Sequence, residues 1–127
     1  MELSEYFAKK KGKGIITVAD SSGNPGIAVY ARPHFINKKT VAFIMADRLI
    51  HKNLESNPQA AYLFLEAGDK YAGKRLYLTK IKEEMDSELI DKIRRKNICP
   101  ADEGYKKGTR YLVYFKIKKV LPLIGSK

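Results

Sequence analysis

Six β-rich runs follow one another along this chain, and the turns between most of them are too short to carry a strand back over a sheet. The runs are Gly14–Asp20, Gly26–Arg32, Val41–Ala46, residues 59–66, Lys74–Lys82 and Thr109–Lys119. Ser21-Ser-Gly-Asn-Pro25 separates the first two, and Asn37-Lys-Lys-Thr40 precedes the third. Parallel neighbours need a crossover of roughly a dozen residues or more, so these strands are expected to pair antiparallel. Six of them close most economically as a small barrel. Helical patterns enter as inserts rather than as crossovers, which argues against a doubly wound sheet. The expected class is mainly β (α+β), with short flanking helices.

The inserts are readable individually. Leu3, Tyr6 and Phe7 are three and four apart, predicting an amphipathic helix over residues 2–11 that stops at Lys9-Lys-Lys-Gly12. Residues 84–98 give the clearest helix, with Met85, Leu89 and Ile93 in one stripe and Ile90 beside it. Acids lead that segment and bases trail it, matching the helix dipole, and Pro100 ends it. Ala101–Gly108 reads as a polar loop and Val120–Lys127 as a short tail. At 127 residues the chain is read as one domain, 1–127, of a size that buries roughly two-thirds of its unfolded surface. Cys99 is the single cysteine, so an internal disulfide or a cysteine-built metal site is excluded, and a packed structural thiol is expected. With no apolar run of membrane-spanning length and no signal-peptide core, a cytoplasmic protein is expected, with no membrane partner.

The segment Phe43-Ile-Met-Ala-Asp-Arg-Leu-Ile-His-Lys-Asn-Leu54, closed by Asn57-Pro58, carries the chemistry. An apolar run ends in a polar corner, and a brief helix starts there with Arg48, His51, Lys52 and Asn53 in its first turns. A helix N-terminus already presents partial positive charge and unpaired N–H groups. Basic side chains there suit an anion, and phosphate fits best. Arg48 and Lys52 are four apart and share a helix face. Asp47 is the natural N-cap, although its charge opposes a nearby phosphate. The bland alternative is a solvated basic helix start. The net charge of +11, from 25 Lys and Arg against 14 Asp and Glu, also favours an anionic partner. Nucleic acid is the weaker candidate, because the Tyr and Phe residues lie on core-like runs rather than on a basic stacking platform. His34 lies in a different loop from His51, and no metal site is expected. Nor is there a hydrolytic constellation: Gly-x-Ser-x-Gly and paired catalytic carboxylates are both missing.

The order of elements resembles the FMN-binding split-barrel family related to pyridoxamine 5′-phosphate oxidase, over roughly residues 3–120. The resemblance rests on the hairpin Thr17-Val-Ala-Asp-x-x-Gly23-x-Pro25, on the strand exit Ala28-Val-Tyr-Ala-Arg-Pro33, and above all on Met45-Ala-Asp-Arg-x-x-His-Lys-Asn-Leu54…Asn57-Pro58. It implies a short, single-domain, six-stranded antiparallel split β-barrel acting as a flavoprotein. It further implies a homodimer holding two flavins at its interface, with FMN phosphate at Arg48, His51 and Lys52, beside Asn53. Met45 and Ala46, at the third strand's end, would border the cofactor. The isoalloxazine edge would lie along Val29, Tyr30, Ala31, Arg32 and Pro33, where backbone groups can pair with the ring. Tyr111 and Arg75 are candidates for contributions across the dimer.

Under that resemblance the protein is an oxidoreductase passing hydride or electrons through flavin N5, between a nicotinamide donor and an acceptor the sequence does not identify. Catalytic side chains are not assigned, because the cofactor supplies the reactivity. The oxidase proper carries further substrate-phosphate contacts towards its C-terminus that Leu121-Pro-Leu-Ile-Gly-Ser-Lys127 does not match, so vitamin B6 oxidation is not implied. Family branches holding a deazaflavin or haem remain open alternatives, as do a non-catalytic electron carrier and, more remotely, a basic OB-like nucleic-acid barrel. The redox partner would be a small molecule or a protein.

Overall fold

The computed structural model describes residues 1–96 and 109–125. Ile98, Cys99, Pro100 and the Ala101–Gly108 segment, on which the sequence predicts a helix end, a structural thiol and a loop, lie outside the described residues. In chain order the elements are α1 (Leu3–Lys9), β1 (Gly12–Ala19), β2 (Pro25–Tyr30), β3 (His34–Phe35), β4 (Thr40–Ala46), α2 (Leu49–Ser56), β5 (Gln59–Glu66), β6 (Gly73–Met85), α3 (Glu88–Lys96) and β7 (Arg110–Pro122).

The strands form one antiparallel sheet in the order β2-β1-β5-β6-β7-β4-β3. This corrects the expected six-stranded barrel in two ways. The seventh strand is the pair His34–Phe35, which bonds to Ala42 and Val41 and is too short to leave an alternating pattern. The sheet is also open, with β2 and β3 at its ends. It curls enough for its inner face to enclose a core of Ile16, Val18, Phe43, Tyr62, Phe64, Leu76 and Phe115, with Tyr6 and Phe7 of α1 packed into the same cluster. Gly14 matters to that packing. A Cβ there would fall 1.8 Å from the Tyr62 hydroxyl, which passes over it to donate to the Ala31 carbonyl at 3.1 Å.

Two predicted boundaries move. Glu84 and Met85 do not begin the helix predicted over 84–98; with Glu83 they extend β6 against Val113, Leu112 and Tyr111. Asp86 stops the strand, with a left-handed φ of 47°, and its carboxylate accepts the Arg110 backbone N–H at 3.0 Å. The Ser87 hydroxyl then accepts the N–H of Leu89 and opens α3. Met85 is therefore exposed on a strand, whereas Ile90 and Ile93 are buried as predicted. They pack with Ala42, Leu112 and Tyr114 on the sheet's outer surface. That cover explains why Leu112, Val113, Tyr114 and Phe115 are all buried rather than alternating. β7 also runs on to Pro122, so the first three residues of the predicted tail are strand.

Candidate functional site

α2 sits at one end of the sheet, joined to β4 by the corner Asp47-Arg48. Its apolar side, Ile50 and Leu54, packs into the inner core. The residue in the N-cap position is Arg48 rather than the expected Asp47, in extended conformation and without a side-chain capping bond. No acidic residue lies in the first turn. The leading N–H groups of the helix thus lack the usual Asp, Ser or Thr acceptor, and Arg48 and Lys52 are both exposed beside them. An uncapped, positive helix end is thus flanked by two exposed cations, Arg48 at its N-cap and Lys52 one turn on, a combination that suits an oxyanion.

His51 and Asn53 are not on that surface. Both are buried, at 2% and 6% exposure. Asn53 reaches its place because Gly26 of β2 has no side chain: a Cβ there would lie 2.8 Å from Asn53 Nδ2. The His51 ring is stacked on Tyr111 of β7, 3.7 Å between centroids and 14° apart in plane. Its Nε2 lies 3.1 Å from each carboxylate oxygen of Glu83. Nδ1 has no hydrogen-bond partner among the described residues. It faces the carboxylates of Glu55 and Asp47 at 3.6 and 3.9 Å, beyond hydrogen-bond reach. The Asp47 carboxylate, which the sequence sets against a nearby phosphate, remains largely exposed at this corner.

Glu83 reaches His51 through an irregularity in β6. Lys80 pairs with Phe115 and Lys82 with Tyr114, leaving Ile81 as an extra residue. Such a bulge changes which side chains face inward. Lys80 and Glu83 consequently share the inner face, and Lys80 Nζ binds Glu83 Oε1 at 2.5 Å. Burial pushes the Glu83 carboxyl up, but hydrogen bonds from Lys80 and His51, with their positive charge, outweigh it and hold the group below its ordinary value. The Tyr111 phenol is pushed up by desolvation and by the negative charge of Asp47, Glu83, Glu55 and Asp86. Sequence reasoning missed Glu83 and Lys80. Lys80 reads as part of a polar strand face and Glu83 as an acid leading the 84–98 helix, and nothing local marks Ile81 as a bulge.

The other predicted site residues are scattered around this end. Met45 is fully buried in the core and Ala46 half-buried beside the corner. Tyr30 turns inward against Phe43, at 6.2 Å between ring centroids, while Val29 and Ala31 point outward and Pro33 is buried. Arg32 extends to α1, where its guanidinium donates to the Phe7 and Lys10 carbonyls at 2.9 and 3.2 Å. Those bonds satisfy a helix C-terminus. Arg75 likewise donates to the Pro122 and Gly125 carbonyls, both at 2.8 Å, and fixes the end of β7. Tyr111 is committed to the His51 stack. Among the described residues no group of three or more His, Cys, Asp or Glu side chains is arranged to hold a metal ion. No described helix is long and apolar enough to cross a membrane.

No protein-family model matches the sequence, and no curated protein does. Solved structures match over nearly the whole chain. An FMN-binding protein from Syntrophomonas wolfei subsp. wolfei superposes with a TM-score of 0.78 at 18% identity, covering 99% of this chain and 86% of its own. An F420 reductase gives 0.71 at 14% identity, covering 95% and 98%. A protein of the pyridoxinephosphate oxidase family from Clostridium acetobutylicum, related to general stress protein 26 of B. subtilis, gives 0.62 at 14% identity, covering 94% and 84%. The fold is therefore the one found in FMN-binding and pyridoxamine 5′-phosphate oxidase-family proteins, the family the sequence resembles.

Proposed function

We propose that this protein binds FMN, with the phosphate at the N-terminus of α2, and acts as a flavin-dependent oxidoreductase. The observation that carries the reading is the coincidence at one exposed corner of an uncapped helix start, Arg48 and Lys52. A phosphate there would accept from the leading N–H groups, from the Arg48 guanidinium in two parallel bonds, and from the Lys52 ammonium. The flavin ring would extend towards the exit of β2. Backbone groups on the side of β2 away from β1 have no strand neighbour among the described residues, which supports an edge-on contact there. Bound flavin would supply hydride or electron transfer at N5, and the chain's own groups would orient it and exclude water.

The same reading includes a homodimer. Ile27 and Val29 are 70% and 74% exposed, and Val29, Ile15 and Leu63 are opposed in register across β2, β1 and β5. Opposed residues share a face. An apolar outer face of this kind, beside an unpaired strand edge, is what a second copy would cover. The nicotinamide donor and the acceptor belong to the proposal as classes only. A deazaflavin satisfies the same phosphate chemistry, and the F420 reductase likeness keeps it as the second reading.

The test is retention of flavin. Protein mixed with excess FMN and desalted should keep bound flavin absorbance, and heating should release FMN. Arg48→Ala combined with Lys52→Ala should weaken FMN binding by about 1.5–3 kcal/mol for each charged hydrogen bond removed. Unchanged FMN affinity in the double variant would remove the phosphate assignment.

A further inference from the structure

We propose that Glu83, acting through His51, is the positioning residue of the phosphate-binding turn. This rests on the reading of Arg48 and Lys52 as phosphate ligands. α2 has eight residues and no side-chain capping bond, so local forces alone leave such a helix marginal. Its placement depends on what it packs against. Ile50 and Leu54 fix one side in the core. On the other side His51 is held on three fronts, by both Glu83 oxygens at Nε2, by the Tyr111 ring beneath it, and by near-complete burial.

His51 lies between Arg48 and Lys52 in the first turns. A rotation or slide of α2 that moved either cation would have to break the His51–Glu83 bonds or unstack the ring. With Nε2–H donating to Glu83, the imidazole orientation is set, and Nδ1 is turned to Asp47 and Glu55. Glu83 is fixed in turn by Lys80 and by the bulge at Ile81. The strand irregularity, the half-buried Lys80–Glu83 ion pair and the exposed cations thus form one connected arrangement. Its outer end touches ligand and its inner end does not.

The experiment compares affinities for FMN and riboflavin, which differ by the phosphate. Wild-type protein should prefer FMN, and Arg48→Ala should remove much of that preference. Glu83→Ala should lower FMN affinity by about tenfold, the size of one charged hydrogen bond, with riboflavin affinity changed less than twofold. Glu83→Gln, whose amide oxygen still accepts from Nε2–H, should recover most of the loss. A Glu83→Ala protein that loses both ligands equally, or neither, overturns the positioning role and leaves the phosphate reading standing. A wild-type protein with no preference for FMN overturns both. Should Glu83→Ala prove too unstable to titrate, His51→Leu, which removes the group through which Glu83 acts, is judged by the same ratio, and an unchanged preference for FMN overturns the positioning role.

Discussion

Two residues show how differently single positions can be read. Gly14 reads as a β-run start, but its requirement is the Tyr62 hydroxyl passing over it. Gly14→Ala should lower stability by about 1–3 kcal/mol through overpacking, measured by urea unfolding; an unchanged midpoint would show that Tyr62 moves aside freely. Glu83 reads as a helix-starting acid, but the structure makes it a partner of Lys80 and His51. Its carboxyl is held below the ordinary value of 4.5. A depressed native pKa contributes stability above the unfolded value and loses it as pH falls through the native one. Glu83→Gln should therefore be less stable than the native protein at neutral pH, with the deficit shrinking below about pH 4.5. A deficit constant across pH, followed by urea titration, would contradict the ion pairing. The Tyr114 phenol, desolvated and bonded to Glu84, is pushed up to about 12. A spectrophotometric titration should therefore show a late phenol ionisation that Tyr114→Phe removes.

At the level of elements, legibility followed how local each cause is. β5 coincides with the predicted 59–66 because its apolar run ends at Asn57-Pro58 on one side and at a glycine turn on the other. α1 was visible in three apolar residues. β3 was not visible, because two residues carry no period and only pairing with β4 makes them a strand. Tyr114 alternates with Val113 and Phe115 and, with Arg110, Lys116 and Lys118, reads as a polar face; α3 covers Tyr114, a tertiary fact with no local trace. The basic turn was legible as chemistry, yet only part of it is surface: Arg48 and Lys52 face out, His51 and Asn53 inward. The bulge at Ile81 was the least legible, since one extra residue shows only against its partner strand. In a regular strand Lys80 and Glu83, three apart, would fall on opposite faces; the extra residue at Ile81 lets both stand opposite inner-core partners, Phe115 and Val113. Ile90→Ala, beneath α3, should cost about 2–5 kcal/mol in the same unfolding assay.

On the scale of the whole molecule, the open sheet leaves its apolar outer face and its β2 edge as the features a lone chain explains least. Ile27→Asp with Val29→Lys should convert a dimer into a monomer in sedimentation equilibrium while leaving the far-ultraviolet spectrum intact. A native protein that is monomeric at tens of micromolar would contradict the dimer. The charge of +11 is spread over many lysines, and the proposal uses two of its cations. The phosphate position connects fold, charge and chemistry, and a crystal structure with FMN bound measures it directly. The phosphate is expected against the first turn of α2, within hydrogen-bond distance of Arg48 and Lys52, with the ring along the β2 exit. A phosphate held elsewhere, with the α2 turn in contact with solvent alone, would contradict the proposed site.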